Sequence, residues 1–305
     1  MSKHGTARSV AEYALVWPIL KTLERLPAPL ARAEARGLGF LLRRAAPGLL
    51  RVARRNLAMA LPELDAPRRE EILDGVYASL ARSFHVFARF PRLDAGNIGE
   101  WIRQEGFEHY QRAREGGRGV LFLTAHLGNW ELSALAQGLF GHPLRVVARP
   151  LDNPLLERLV ARYRTLSGNR ILFKTDSPRR ILEALRANQA VGMLIDQNAS
   201  LDNGVFVDFF GVPACASTGL ARIALRAGAP IVPGFALWQD TEQRYLLRFW
   251  PPVEMTRAAD PQLDVQMNTQ RLNTLLERII RQYPDQWLWI HRRWKTRPPG
   301  EEAIY

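Results

Sequence analysis

In the segment His126-Leu127-Gly128-Asn129-Trp130-Glu131 a histidine and a glutamate stand five positions apart, directly after the apolar run Gly119-Val120-Leu121-Phe122-Leu123-Thr124-Ala125. An imidazole can take up a proton near neutral pH. A carboxylate can hold its ring in one tautomer and stabilise the imidazolium that forms. Residues five apart on an ideal helix diverge by roughly 140°, so the two can meet only across a turn. The apolar run reads as a buried strand with His126 at its C-terminal end. Gly128 then permits a tight turn, Asn129 caps a helix, and Glu131 falls in the first helical turn, facing back toward the imidazole. That end of a strand is where α/β sheets hold their ligands, and the N–H groups opening the helix suit an anion or a developing oxyanion. A core histidine satisfied by a carboxylate would use the same two residues, so the pair alone does not decide between chemistry and structure.

Other chemistries lack their residues. The chain has no Gly-x-Ser-x-Gly elbow and no His-Glu-x-x-His pair, which leaves serine hydrolases and zinc proteases without support. Cys215 is the sole cysteine. It rules out an intrachain disulfide and a cysteine-rich zinc site, suits a reducing compartment, and is expected to be a small buried hydrophobe. No metal and no bound cofactor are expected. A histidine–carboxylate pair without a protein nucleophile is best suited to deprotonating a substrate hydroxyl, which then attacks an activated acyl group.

The elements that must position the pair follow from periodicity and punctuation. Residues 1–115 read almost wholly as helix: an amphipathic stretch within Val10 to Leu26, then Leu30 to Arg44, Leu49 to Met59, and Arg68 to Phe90, separated by Pro27-Ala28-Pro29, Pro47-Gly48 and Leu61-Pro62. From residue 116 the pattern alternates. Strands are expected over 119–125, Leu144 to Ala148, Ile171 to Lys174, Ala190 to Ile195, Pro230 to Trp238 and Tyr245 to Pro251. Helices are expected from Asn129 to Gly138, from Asn153-Pro154, from Ser177-Pro178 to Asn188, from Thr218 to Ala227 and from Gln262 to Gln282. The expected fold is α/β, with a mainly parallel central sheet flanked by helices and an N-terminal helical layer. Residues 1–115 are a membrane-associating region packed on the core, and 116–305 are the core itself, as one unit.

Charge is unevenly spread over the chain, whose net value is +12. The first sixty residues hold eleven Lys/Arg against Glu12, Glu24 and Glu34, a net +8, which favours an anionic partner such as phospholipid headgroups, an acidic carrier protein or nucleic acid. No secretory signal is legible, because Glu12, Pro18, Lys21, Glu24 and Arg25 interrupt the first apolar stretch and no cleavage site follows. A spanning helix needs roughly 18 or more nearly uncharged apolar residues, which the chain lacks. Tyr13, Leu15, Val16, Trp17, Ile19, Leu20, Leu23 and Leu26 instead leave charge on one side, as in a helix lying in a membrane interface.

His126-Leu127-Gly128-Asn129-Trp130-Glu131 resembles the H-x4-D/E motif of glycerolipid acyltransferases, in the form typical of the late lipid A acyltransferases of Gram-negative bacteria. Four further segments resemble that family in the same order: 148–154 (ARPLDNP), 195–198 (IDQN), 205–213 (VFVDFFGVP) and 289–298 (WIHRRWKTRP). The resemblance runs from about residue 10 to 298. It implies a glycerolipid-acyltransferase-like fold, His126 as general base with Glu131 as its orienting partner, and Arg149 as the cation that stabilises the thioester oxyanion or binds substrate phosphate. It also implies substrate-binding roles for Asn129, Asp196, Gln197, Thr218, Arg292 and Arg293. Asp196 and His126 end strands on the same sheet edge, Gln197 and Asn198 would form pocket walls, and Thr218 precedes a helix near the acyl pocket. Arg292, Arg293 and Lys295 alternate with Trp289 and Trp294, like a phosphate-binding edge with aromatic anchors at a membrane surface.

The resemblance thus implies transfer of a fatty acyl chain from an acyl carrier protein thioester, the donor substrate, to a hydroxyl of a lipid A precursor. The setting would be the anionic cytoplasmic face of the inner membrane. Many relatives begin with a transmembrane helix, whereas this segment is short and charged and points to peripheral, monotopic attachment, with a weak single-pass N-terminal anchor as the alternative. Acylation of another glycolipid, of the phosphatidylinositol mannoside type, is the alternative acceptor. A basic nucleic-acid-binding protein is the alternative class, but no nucleic-acid motif supports it and the His126–Glu131 pair would be idle.

Overall fold

In the computed structural model, which describes residues 5–173, 177–258 and 260–305, four helices precede the first strand: α1 (Thr6–Arg25), α2 (Ala28–Ala45), α3 (Pro47–Ala60) and α4 (Ala66–Ala88). Pro47 and Pro67 stand in the opening turns of α3 and α4, where a missing N–H leaves no helical bond unmade. Asp65 caps α4 by accepting the Arg68 N–H at 2.9 Å. The next segment departs from the helical expectation. Ile102–Glu105 forms β1, followed by α5 (Phe107–Glu115). Four residues with two charges and one apolar anchor carry too little periodicity to announce a strand, and β1 lies at the sheet's edge, where such a sequence is tolerated.

The expected alternation follows: β2 (Val120–Thr124), α6 (Trp130–Leu139), β3 (Leu144–Ala148), α7 (Pro154–Thr165), β4 (Arg170–Phe173), α8 (Ser177–Arg186), β5 (Ala190–Leu194), β6 (Gly204–Phe209), β7 (Val212–Ser217), α9 (Gly219–Ala227), β8 (Ile231–Gln239), β9 (Arg244–Phe249) and α10 (Pro261–Gln282). Lys174 and the side chain of Ser177, which the sequence pattern assigned to a strand end and a helix cap, lie outside the described residues. The main sheet has the order β1-β9-β8-β2-β5-β3-β4. Strands β8, β2, β5, β3 and β4 run parallel, while β9 is antiparallel to β8 and carries β1 parallel to itself. A hairpin, β6–β7, stands apart from this sheet. Its two-residue loop, Phe210-Gly211, has positive φ at both positions (60° and 74°), the conformation that matches the twist of the flanking strands.

Strand β2 is buried on both faces, which is why it reads as a continuous apolar run. Its alternation divides the core in two. Leu121, Leu123 and Ala125 join a cluster with Val191, Ile231, Leu276 and Trp287, while Val120 and Phe122 face Leu132, Leu135, Tyr163 and Phe249 on the other side. The first cluster receives the 287–294 segment. Trp287, Trp289 and Trp294 are fully buried, packing on one another and on Phe209 and Phe210. They are therefore core residues and not anchors at a membrane surface. Cys215 is buried, as expected of a small hydrophobe.

Arg293 also departs from expectation. It is completely buried, donating to the Cys215 carbonyl at 2.8 Å and to Asn273 Oδ1 at 3.2 Å, with its guanidinium over the Phe209 ring. Burial lowers its pKa to about 10, against the opposing pull of Asp196, so it stays cationic at neutral pH. Arg292, one position earlier, is exposed and lies over the Tyr305 ring. Of the expected phosphate-binding edge only Arg292 and Lys295 face solvent.

The N-terminal layer carries an uncovered apolar surface. In α1, Leu20 and Leu23 are buried against Ala88, with Val16 and Ile19 beside them, so one side of the helix packs on its own domain. Val10, Leu15 and Trp17 are exposed, as are Leu30, Phe40, Leu41 and Leu42 of α2 and Leu49 of α3, with Leu15 at 68% and Leu41 at 61%. Among the described residues no helix is long and apolar enough to cross a membrane. Part of the basic charge nearby is neutralised: Arg43 pairs with Glu70 and Asp74, and Arg54 with Glu70.

Arg293→Ala is expected to destabilise the fold by roughly 2–4 kcal/mol, because it removes three contacts and opens a cavity. Arg293→Met, which restores apolar volume, should recover a substantial part of that loss. Urea unfolding midpoints check both, and an unchanged midpoint for Arg293→Ala would return this side chain to the surface.

Candidate active site

The register of two neighbouring strands builds the site. Thr124 of β2 pairs with Leu194 of β5, so two residues further on, past both strand ends, His126 and Asp196 emerge side by side. The His126 N–H donates to Asp196 Oδ2 at 2.9 Å, and Nδ1 of its ring meets Asp196 Oδ1 at 2.9 Å. Asp196 is 3% exposed and takes a third bond at Oδ2, from the Trp287 indole N–H at 3.0 Å. Burial by itself would raise the Asp196 pKa, but the facing imidazole and these three donors hold the carboxyl down, at about 2. With Nδ1 protonated to serve the carboxylate, Nε2 is the ring atom left to accept a proton, and the side chain keeps 19% exposure on that opening.

The turn after β2 is fixed from two sides. The Gly128 N–H donates to the Gln286 carbonyl at 2.9 Å, the Asn129 N–H to the Ala236 carbonyl at 2.9 Å, and the Leu288 N–H to the His126 carbonyl at 3.0 Å. Gly128 has φ +63°, and a Cβ there would lie 2.0 Å from the Ala236 oxygen, so no other residue fits without displacing β8. Asn129 then caps α6, its Oδ1 accepting the Leu132 N–H at 3.0 Å. Asn129 is therefore buried beneath the site as a helix cap. The first turn of α6 opens beside His126, whose ring makes an edge contact with Trp130 at 4.8 Å.

Glu131 does not take the place expected of it. Its carboxylate is engaged by the guanidinium of Arg164 from α7, with Nε–Oε2 at 2.9 Å and Nη2–Oε1 at 2.5 Å, both side chains more than four-fifths buried. The imidazole is oriented by Asp196 instead. The reason is steric and electrostatic: the strand register hands Nδ1 to Asp196, while α6 and α7 lie side by side over the same core and pair their opposite charges. Glu131 still acts on His126 through space. Burial pulls the imidazole pKa down, but the Asp196 charge and hydrogen bond, with Glu131 behind them, outweigh it against Arg164, and the net shift is upward.

The other expected residues separate into near and far. Gln197 is exposed at the mouth, with Nε2 at 3.5 Å from His126 Nε2. Asn198 is bonded to Thr296 and donates its backbone N–H to His291 Nε2 at 3.1 Å, bracing the wall behind Gln197. Arg149 follows β3 on the same sheet edge, solvent-exposed and 3.4 Å from Asp152. Thr218 is buried and uses its hydroxyl locally, accepting from Arg222 Nε at 3.0 Å and donating to the Asn203 carbonyl at 3.3 Å. Arg293 lies in the core behind Asp196, close enough to share its field. Two residues of the site had no sequence signal. Arg164 lies 33 positions from Glu131 and Trp287 lies 91 from Asp196, and only the packing of α7 and of the 287–294 segment reveals them.

The fold is that of an α/β protein in which a histidine held by a buried carboxylate stands at the C-terminal edge of a parallel sheet, beside a helix N-terminus, an arrangement able to accept a proton. Comparison with known proteins supplies the class of reaction. The family described as bacterial lipid A biosynthesis acyltransferase matches residues 1–296, and the chain belongs to it. It is 28% identical to a lipid A biosynthesis lauroyltransferase of Escherichia coli K12, over 100% of this chain and 99% of that protein. It is 30% identical to a lipid A biosynthesis acyltransferase of Haemophilus influenzae over 94% and 92%, and 26% identical to a phosphatidylinositol mannoside acyltransferase of Mycolicibacterium smegmatis over 92% and 90%.

The pH dependence of acyl transfer tests the His126–Asp196 geometry. The neutral imidazole is the form that accepts a proton, and its pKa is raised, so activity should climb with pH through a value above 6.5. In Asp196→Asn burial is no longer outweighed, and that limb should move to lower pH while the plateau rate falls roughly 10²–10⁴-fold. An acid limb that stays in place in Asp196→Asn would remove Asp196 from this role.

Proposed function

We propose that this acyltransferase moves a fatty acyl group from an acyl carrier protein thioester to a hydroxyl of a lipid A precursor, with His126 as general base. The observation that carries the reading is the Nδ1 contact of His126 with buried Asp196, which leaves Nε2 at the opening as the proton acceptor. The hydroxyl gives its proton to Nε2 as its oxygen attacks the thioester carbonyl carbon. The tetrahedral oxyanion faces the N–H groups of the first turn of α6. Collapse breaks the carbon–sulfur bond, and the departing thiolate takes the proton back from the imidazolium as a thiol. Asp196 stabilises the imidazolium, and the Glu131–Arg164 pair fixes the start of α6 and adds negative potential at the ring. No acyl-enzyme is formed. Arg149, exposed on the same edge, fits a phosphate of the acceptor better than the oxyanion, with Gln197 at the mouth and Arg292 farther out. The basic N-terminal region suits an acidic carrier protein and an anionic membrane equally.

A second acceptor is supported by the mycobacterial relative, which carries the phosphatidylinositol mannoside name over nearly the same length. Mass spectrometry of the lipid fraction from cells with and without the protein distinguishes the two by the species that gains one acyl mass.

With purified protein, His126→Ala should lower acyl transfer by at least 10³-fold with the fold retained, since it removes the base. Glu131→Ala should also lose activity, and in part through α6, so its thermal midpoint should fall as well. Near-normal turnover by His126→Ala would sink the mechanism.

Attachment to the cytoplasmic face of the inner membrane is proposed to run through the exposed apolar side chains of α1, α2 and α3 and the basic charge around them. Leu15→Gln/Leu41→Gln should weaken binding to anionic vesicles several-fold. Raising salt should weaken it too, because exposed charges are screened over about 10 Å at 0.1 M. Binding indifferent to both changes would argue against this surface.

A further inference from the structure

The sheet edge opposite His126 holds a second concentration of cations. Where β3, β4 and β5 begin, a cleft of about 380 Å³ is lined by Arg114, His142, Arg145 and Arg170, with no aspartate or glutamate among its lining residues. Arg145 and Arg170 are register partners on the neighbouring strands β3 and β4. Like charges placed opposite one another destabilise a sheet unless something of opposite sign lies between them. Arg145 Nε donates to Gln189 Oε1 at 2.8 Å, which fixes the guanidinium plane and leaves its terminal nitrogens to the cleft. Among the described residues none of the three arginines has an ion-pair partner. His142 Nδ1 is buried and has no hydrogen-bond partner among the described residues. Burial, with Arg170 alongside, lowers the Arg145 pKa, and burial, with Arg114 alongside, lowers that of His142.

We propose that this cleft binds a soluble phosphate-bearing anion, at a site separate from that of acyl transfer. Paired guanidinium groups match the geometry of phosphate oxygens, and a +3 cluster calls for a ligand carrying more than one negative charge. The volume exceeds that of a lone phosphate and lies within the range for small organic ligands. A strand of five residues separates the two edges of the sheet by roughly 16 Å. A lipid reacting at His126 therefore does not also place its headgroup here, and the ligand is assigned to the aqueous phase.

The test uses the full chain in neutral detergent, titrated calorimetrically with inorganic pyrophosphate at constant ionic strength. Saturable one-to-one binding is expected, at least tenfold weaker in Arg145→Gln/Arg170→Gln and intermediate in Arg145→Lys/Arg170→Lys, with circular dichroism unchanged. If the double glutamine variant fails to fold, Arg170→Gln alone, at an exposed position, carries the comparison. Absence of saturable binding by the native chain overturns the proposal and leaves the arginines as counter-charges to the helix C-termini on this edge, Arg114 lying in the last turn of α5. Equal binding by the glutamine variants overturns it too. A parallel arm with phosphatidylglycerol vesicles tests the source: if Arg170→Gln weakens vesicle binding and pyrophosphate does not compete, the ligand is a lipid headgroup and the assignment to the aqueous phase fails.

Discussion

A carboxylate 3% exposed to solvent must be fully bonded or it will not stay charged, and the way this fold meets that demand at Asp196 organises everything around it. Three donors converge on it: the ring and backbone of His126 just past β2, and the indole of Trp287 from the segment after α10. A more distant cation, Arg293, sits behind in the core. Two of the donors follow β2, the third comes from the C-terminal segment and Asp196 itself follows β5, so the negative charge ties two central strands to that segment. It also fixes which nitrogen of His126 faces the opening. Structural and chemical requirements are met by the same bonds.

That arrangement gives the H-x4-E segment a division of labour. The histidine is supplied with a carboxylate across the sheet, and the glutamate is supplied with an arginine across the helices. An ion pair of that kind, largely screened from water, is costly to break from one side. It pins the first turn of α6 to α7 and so fixes where the N–H groups beside His126 point. Arg149 and Gln197 at the same edge are exposed and held more loosely, Arg149 by Asp152 at 3.4 Å and Gln197 by His126 Nε2 at 3.5 Å.

Much of this was legible from local pattern. The buried run before His126, the Asn129 cap, the helix from Asn153-Pro154 and the strand ending at Asp196 are all set by residues within a few positions of one another, and they lie where periodicity places them. The identity of the carboxylate holding His126 was not. It depends on β5 inserting beside β2 although β3 and β4 come between them in the chain, a matter of strand order that no local pattern encodes. Alternating tryptophan and arginine over 289–295 is the same string whether it runs along a surface or threads a core, and only the pockets offered by Phe209, Phe210 and Asn273 decide that Arg293, Trp289 and Trp294 go inside. Strand β1 failed to announce itself for the opposite reason, being too short and too polar to differ from a loop until β9 is there to pair with it.

The bond from Trp287 to Asp196 has a consequence in time. At a synthesis rate of 5–20 residues per second, roughly ten to thirty seconds pass between the appearance of His126 and that of Trp287. Through that interval β2 and β5 can pair, but Asp196 lacks its indole donor, the Gly128 turn lacks the Gln286 carbonyl, and the apolar face awaiting three tryptophans is bare. A nascent chain thus has an incomplete His126–Asp196 site and a bare apolar face at once. With the N-terminal helices and their exposed apolar side chains made first, that apolar surface is present before the core is complete.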